Sequence, residues 1–248
     1  RVAVYSASED TVRHGVEVGD RFFPGYAHPT QTGMFAALYA LPLQPGPAPR
    51  IVAEDRAGNR ASAPSSINML ARPRPGGTIE LDDEFMASKV DEILGSQEGA
   101  TLDGYLKINR DMRQANAEKI RELCRSSSPQ MLWSGAFEPL PNGETREKFG
   151  VRRTYRYQGR EVDQQTHLGL DFASLSHAEV PAANGGNVVF ADDLGIYGST
   201  VIIDHGLGLF SLYAHLSDMS VGTGDAVKKG DVLGHTGTTG LAGVDHLH

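Results

Sequence analysis

Apolar residues over roughly the first 70 positions come in short alternating runs, Arg1 to Tyr5, Phe35 to Leu41 and Arg50 to Glu54, separated by Pro/Gly-rich breaks such as Pro42 to Pro49. Such runs between breakers predict short strands and a small all-β unit. After the breaker cluster Arg72 to Gly77 the period changes. Met86, Val90, Ile93 and Leu94 recur at helical spacing behind Asp82 and Asp83, which are suited to cap a helix. A second helix is predicted after Asp103, with Tyr105, Ile108, Met112, Ala115, Ile120 and Leu123 along one side, until Ser126 to Pro129 stops it. From about Gln130 onward the pattern returns to strands, VVFA, TVIID, LFSLYAHL and VLGHTG, punctuated by Gly, Asn and Asp. The expected fold is multidomain and mainly β: a β-sandwich-like unit over 1–71, a helical connector over 72–129 and an antiparallel β-sheet domain over 130–248. The Met and aromatic positions of the connector read as core packing.

Composition narrows the chemistry. The 248 residues exceed one typical domain, and 40% hydrophobic with 22% charged residues is globular. No apolar run approaches the ~18 to 20 residues that span a bilayer. The chain opens at Arg1 without a Met, so we expect a processed or truncated form, with membrane association only through a segment absent from it. A balance of 31 acidic against 23 basic residues, net −8, without a Lys/Arg stripe argues against nucleic acid as partner. One cysteine, Cys124, excludes an intrachain disulfide and any cysteine-based zinc cluster, so a metal site has to be built from His and carboxylates.

Seven of the nine histidines fall between His167 and His248. Catalytic zinc needs three His or carboxylate ligands and one open position, and the C-terminal third offers several candidates. His167-Leu-Gly-Leu-Asp171 supplies an imidazole and a carboxylate four residues apart, and Tyr213-Ala214-His215 ends a strand-like run. His246-Leu-His248 supplies two imidazoles at spacing two, which on a strand face the same way. Each fragment alone is common in soluble proteins; their order along one chain carries the signal. His205 and His235, in glycine-set loops, are expected near the groove, His177 is expected to be solvated, and His14 and His28 belong to the N-terminal unit. The glycines from Gly222 to Gly240 form no phosphate-binding motif and read as hairpin punctuation.

The ordered set H-x-x-x-D, A-H-L, H-x-H resembles the lysostaphin-like (LytM-type) zinc metalloendopeptidases. The likeness runs from about Asp163 to His248 through QQTHLGLDFAS, VIIDHGLG, LYAHLS, VKKGDVLGHTGTTG and DHLH. It implies that His167, Asp171 and His248 bind one Zn2+ per chain and that His215 and His246 flank the reacting water as catalytic residues. It also implies a peptidoglycan peptide as substrate, cleavage of peptide cross-bridges, and a bacterial envelope location, periplasmic or secreted. Family members continue past H-x-H, so this domain is expected to be truncated at its C-terminus. H-E-x-x-H is absent, which removes a thermolysin-type reading.

Two further resemblances bear on the rest of the chain. IVAEDRAGNRASA, from Ile51 to Ala63, resembles the closing hairpin of bacterial immunoglobulin-like domains, with Asp55, Gly58 and Asn59 supplying the turn. Val227-Lys228-Lys229-Gly-Asp resembles the hairpin of lipoyl or biotinyl carriers, but a carrier has no use for a His/Asp constellation. A catalytically inactive relative that activates other wall hydrolases or binds the wall, with a regulatory protein partner, is the alternative from another class. Retention of all five groove residues speaks against it.

Overall fold

The computed structural model describes residues 1–65, 76–95 and 102–248. The chain is mainly β, in several sheets with one helical segment, and divides into two compact units. The first comprises Arg1–Pro73, Ser126–Leu132 and Asp204–Phe210; the second comprises Arg74–Arg125, Trp133–Ile203 and Ser211–His248. The boundary expected at 71/72 lies outside the described residues, and that at 129/130 falls inside the segment Ser126–Leu132 of the first unit.

The first unit begins with β1 (Val2–Tyr5), β2 (Thr11–Val18), β3 (Arg21–Pro24) and β4 (Tyr26–Ala27), followed by β5 (Phe35–Leu38), β6 (Arg50–Asp55) and β7 (Arg60–Pro64). They form a three-stranded sheet ordered β1-β5-β4 and a four-stranded sheet ordered β3-β2-β6-β7. Ala3, Tyr5, Val16, Val18, Ala37 and Tyr39 make its core. β2, the longest strand here, was not anticipated, because Arg13, His14 and Gly15 interrupt its apolar alternation. Gly15 lets β3 approach: a Cβ there would lie 2.1 Å from the Phe23 carbonyl oxygen. The β6–β7 turn follows the expected chemistry. Asp55 Oδ1 accepts from the amides of Ala57 and Asn59 at 2.8 and 2.9 Å, so the side chain mimics a backbone turn.

In the second unit β8 (Gly76–Leu81) precedes α1 (Asp83–Leu94), whose N-terminus is capped by Asp82 Oδ1 accepting from Phe85 N at 2.7 Å. α2 (Leu102–Lys107) runs through a π-helical turn, Ile108–Met112, into α3 (Arg113–Leu123). Residues 124 to 143 then carry neither helix nor strand, where a return to β was expected. Pro129, Pro139 and Pro141 in that stretch have no N–H to donate to a ladder. The remaining strands are β9 (Glu144–Glu147), β10 (Arg152–Tyr157), β11 (Arg160–Thr166), β12 (Asp171–Ala173), β13 (Glu179–Pro181), β14 (Gly186–Asp193), β15 (Ser199–Gly206), β16 (Leu209–Met219), β17 (Ala226–Val227) and β18 (Val232–Thr236).

Six of these strands form one sheet, ordered β13-β18-β16-β15-β14-β17, over a core that includes Val180, Val188, Val201, Ile203, Leu216 and Leu233. A second sheet, β11-β10-β8, makes the helical stretch part of this unit. β8 pairs parallel with β10, and Met86, Val90, Tyr105 and Ile108 from the helices share one apolar cluster with Tyr155 and Ile196. Strands and helices thus bury a common face rather than two separate ones. Met86 is 1% exposed. Met86→Ala should therefore cost about 2 to 5 kcal/mol of unfolding free energy in denaturant titration; an unchanged midpoint would mean that the helices pack independently of the sheets.

Candidate metal centre

Two local arrangements bring the chemistry together. His167 follows β11 and is pinned by backbone hydrogen bonds, donating to Val151 O at 2.8 Å and accepting from Gly150 N at 2.7 Å. Four residues later the chain enters β12 at Asp171. On the other side, Leu247 exchanges backbone hydrogen bonds with Phe172 at 2.8 and 2.9 Å, and His246 N donates to Gly237 O at 3.2 Å. Leu247 is buried in the core of the six-stranded sheet, so in this extended segment its two neighbours turn their rings to the opposite side. Spacing two in the sequence thereby delivers both imidazoles to Asp171.

The resulting cluster is tight. Asp171 Oδ1 lies 3.0 Å from His167 Nε2 and 2.8 Å from His248 Nδ1, and those two nitrogens are 3.0 Å apart. His167 Nδ1 lies 3.2 Å from the Lys148 carbonyl oxygen. A carbonyl can only accept, so Nδ1 carries the proton of the neutral ring and Nε2 turns its lone pair toward a carboxylate oxygen that also has only lone pairs. Burial alone would raise the Asp171 carboxyl. Hydrogen bonds from His167 and His248, which the rings can donate when protonated, outweigh it and hold the group far below the usual carboxylate range. An anion facing two ring nitrogens in a buried place requires a cation, either protons on the rings or a metal shared by all three atoms. The donor set fits zinc: two imidazoles and one carboxylate, with the His167 tautomer set by an outer hydrogen bond.

Arg153, on β10, was not anticipated. Its Nη2 lies 3.0 Å from Asp171 Oδ2 and its Nε donates to Glu147 Oε2 at 2.6 Å. Arg153 thereby occupies the second carboxylate oxygen and leaves Oδ1 for the imidazoles. Burial would lower the Arg153 guanidinium, but the hydrogen bond and charge of Glu147, with Asp171, raise it above its ordinary value. No motif marks it; it reaches the site only because β10 lies beside β11.

His215 and His246 complete the cluster, with ring centroids 4.8 Å apart. Both donate Nδ1–H to backbone carbonyls, Thr239 and Val244, each at 2.8 Å, so each presents Nε2 to the site. His246 Nε2 is 3.7 Å from Asp171 Oδ1. Burial, reinforced by the neighbouring imidazoles, pushes the His215 ring down to about 3. The loop holding His215 is itself held by α1. Lys89, buried, donates to Thr238 O at 2.8 Å, and Glu92 accepts from Gly240 N at 2.8 Å. Tyr197, also not anticipated, places its ring 5.6 Å from that of His248. Its turn is held by Asn116 of α3, which accepts from Ile196 N at 3.0 Å.

The other histidines stand apart. His205 was expected near the groove but is fully buried, at the hairpin tip grouped with the first unit, where Asp204 accepts from Ser127 Oγ and Ser128 N and Leu132 N donates to His205 O. His177 and His235 pair with each other on the surface. His14 hydrogen-bonds Tyr5 Oη at 2.8 Å in the first unit.

Residues 165–248 match the model of Peptidase family M23. This stretch is an M23 peptidase domain. The chain is 36% identical over 111 residues to the DD-carboxypeptidase/endopeptidase Mpg of Neisseria meningitidis, a match covering 45% of this chain and 25% of the relative. It is 35% identical over 182 residues to the peptidoglycan DD-endopeptidase ShyA of Vibrio cholerae, covering 73% of this chain and 38% of the relative. The chain thus spans well under half the length of these curated relatives. A crystal structure of a candidate M23 peptidase from Pseudomonas aeruginosa covers 100% of this chain and 85% of its own at TM-score 0.60 and 21% identity, which is a likeness of fold.

A cleft of about 490 Å³ opens beside the M23 cluster, lined by His167, His248 and the arginines 110, 113, 121, 152 and 153. Five guanidinium groups line this one place, two of them ion-paired, Arg110 with Asp163 and Arg153 with Glu147 and Asp171. Gly169 lies on the cluster's rim, and a Cβ there would come 2.6 Å from His248 Nε2. Gly169→Ala must displace that ring from Asp171. We expect zinc affinity, measured by competition with a chromophoric chelator, to fall at least about tenfold, with the circular dichroism spectrum unchanged; undiminished affinity would show that the His248 ring is not needed where it stands.

Proposed function

We propose that the protein is a zinc-dependent endopeptidase that hydrolyses peptide cross-bridges of bacterial peptidoglycan. The observation that carries this reading is the convergence of His167, Asp171, His248, His215 and His246 beside a cleft in an M23 domain. A relative named as a peptidoglycan DD-endopeptidase, with another named as a DD-carboxypeptidase/endopeptidase, supports a cell-wall hydrolase role. On this reading the protein works in the bacterial cell envelope, where its substrate lies.

His167 through Nε2, Asp171 through Oδ1 and His248 through Nδ1 would hold one zinc ion. Bound zinc supplies Lewis-acid chemistry, drawing electron density from the scissile carbonyl and making water acidic enough to attack near neutral pH. The protein's own side chains divide the rest. His215, kept neutral by burial, accepts a hydrogen bond from the attacking water at Nε2 and orients it. His246, at 13% side-chain exposure, takes up the proton at Nε2 and then presents that N–H to the leaving amine. Arg153 stabilises the Asp171 anion from outside and keeps its second oxygen engaged. The arginine-lined cleft suits a peptide that carries carboxylates, because guanidinium forks match carboxylate geometry.

Incubation with purified peptidoglycan, followed by mass identification of the released muropeptides, tests the reading. Chelation should abolish release and added zinc should restore it; full activity in metal-stripped protein would overturn the proposal. His167→Ala and Asp171→Ala should lose zinc and activity together. His246→Ala should keep near-stoichiometric zinc yet lose roughly 10² to 10⁴-fold in kcat, the usual contribution of a general acid or base. Arg121→Glu, at the exposed end of the cleft, should raise KM for an anionic peptide about two- to tenfold with kcat little changed. Equal KM values for acidic and amidated peptides in both proteins would remove the cleft from recognition.

A further inference from the structure

A second group of two imidazoles and one carboxylate lies at the β13-β18-β16 edge of the large sheet, and none of its members lines the cleft described above. His177, Asp218 and His235 come from three separate segments, and one ligand atom from each falls within 4.8 Å of the others. Asp218 and His235 are direct cross-strand partners on β16 and β18. A register shift between Leu216 and Asp218 inserts Ser217 as an extra residue, and such bulges re-aim side chains. As a result His235 Nδ1 stands 3.0 Å from both Asp218 oxygens. The His177 ring lies flat over that of His235, centroids 4.5 Å apart at 12°, with its Nε2 3.9 Å from Asp218 Oδ2.

The backbone holds this arrangement before any ligand arrives. His177 has φ +58, a left-handed conformation that a side-chain-bearing residue seldom adopts. Three hydrogen bonds keep it there. Its own amide donates to Asp245 Oδ2 at 3.1 Å, while the next residue, Ala178, donates to Thr236 Oγ1 at 3.0 Å and accepts from Thr236 N at 2.9 Å. Ser217 Oγ, 2.9 Å from His177 Nδ1 and 3.3 Å from Asp218 Oδ2, can accept from Nδ1–H and so leave the Nε2 lone pair facing Asp218. That is the outer-sphere role which fixes a ligating imidazole.

We propose that His177, Asp218 and His235 form a second, surface site for a divalent transition-metal ion of the zinc type. Imidazole and carboxylate donors select zinc, nickel or copper over magnesium or calcium, which prefer oxygen cages. With the remaining coordination positions open to solvent, the ion binds more weakly than at the buried cluster. Its effect is structural: it ties the His177 turn to β16 and β18, and the His177 amide in turn holds Asp245, the residue before His246. The proposal stands on these residues alone and does not depend on the endopeptidase reading.

Titration of metal-stripped full chain with Zn2+ alone, followed by calorimetry, tests it. Wild type should bind two ions, the His235→Ala and His177→Gln variants one, and Asp171→Ala one. Because His177 and His235 are surface side chains, their variants keep the fold. The weaker Kd should rise at least about tenfold in either variant, given that even outer-sphere changes cost ten- to hundredfold. If wild type binds a single ion that is lost in Asp171→Ala and kept in His235→Ala, the second site does not exist. Two ions retained in both surface variants would equally overturn it. A single ion retained in Asp171→Ala and lost in His235→Ala would uphold this site and sink the zinc reading of the buried cluster, so the two proposals fail separately.

Discussion

One carboxylate organises the C-terminal half of this protein. Asp171 is buried and faces His167 and His248, a placement that is tolerable only with positive charge close on both sides. Arg153 supplies it on one side, through Oδ2. On the other side the imidazoles turn toward Oδ1 because each is held by backbone already committed elsewhere. His167 is fixed by the Val151 and Lys148 carbonyls, and His248 by an extended segment zipped to Phe172. The two halves of the cluster approach within 3.0 Å only because Gly169 leaves room for the His248 ring. These contacts engage Oδ2 with Arg153 and leave Oδ1 to the two imidazoles.

The helices belong to this same task. Burying Lys89 is costly unless its charge is fully engaged, and here it is satisfied by Glu92 at 2.7 Å and the Thr238 carbonyl at 2.8 Å. Glu92 also accepts from Gly240, so the stretch Thr238 to Gly240 is held at both ends with the Thr239 carbonyl left to orient His215. α3 does the equivalent for Tyr197 through Asn116. The π-helical turn between α2 and α3 buries Asn109, whose amide nitrogen donates to Asp163 on β11 at 2.8 Å. A stretch that reads as a spacer in one dimension is a scaffold for the His/Asp cluster in three.

Much of this was legible in the chain, and the residues say why. Asp82 capping α1 and Asp55 turning β6 into β7 are local interactions, so a window of a few residues contains all their partners. Spacing four across a turn and spacing two on a strand made His167, Asp171, His246 and His248 candidates, but each pair alone is common; it was their order along the chain, with His215 between them, and the resemblance to lysostaphin-like endopeptidases that singled out the five. Arg153, Tyr197 and Lys89 could not be found this way. Each acts on residues far along the chain, Lys89 on Thr238 at a sequence separation of 149, and no local pattern marks a long polar side chain as buried. His205 shows the converse error: glycines beside it suggested an open loop, whereas Gly206 lets the segment around Gln130 come close and Leu132 N donates to His205 O at 2.8 Å. The parallel pairing of β8 with β10 was hidden for the same reason, since parallel partners need a long crossover and the intervening helices read as a unit of their own.

Local strain falls where function is proposed. Among the described residues, non-glycine positive φ angles occur at Asn142, Gln158, His177, Leu207 and His215. Asn142 and Gln158 sit in turns next to glycine, and Leu207 at a hairpin tip between glycines, where such angles are expected. The two histidines need another cause, because imidazole gains nothing from a left-handed backbone by itself. At His215 the angle, +62°, lies inside a strand, and it accompanies a ring whose Nδ1 reaches Thr239 while Nε2 stays in the cluster. At His177 the angle, +58°, brings the ring flat against His235 and within reach of Asp218. Residues in sparsely populated conformations cost roughly 1 to 3 kcal/mol each and persist only where surrounding contacts over-determine them. At His215 the Thr239 hydrogen bond keeps Nε2 among the imidazoles of the cluster, and at His177 the Ser217 contact leaves Nε2 facing Asp218.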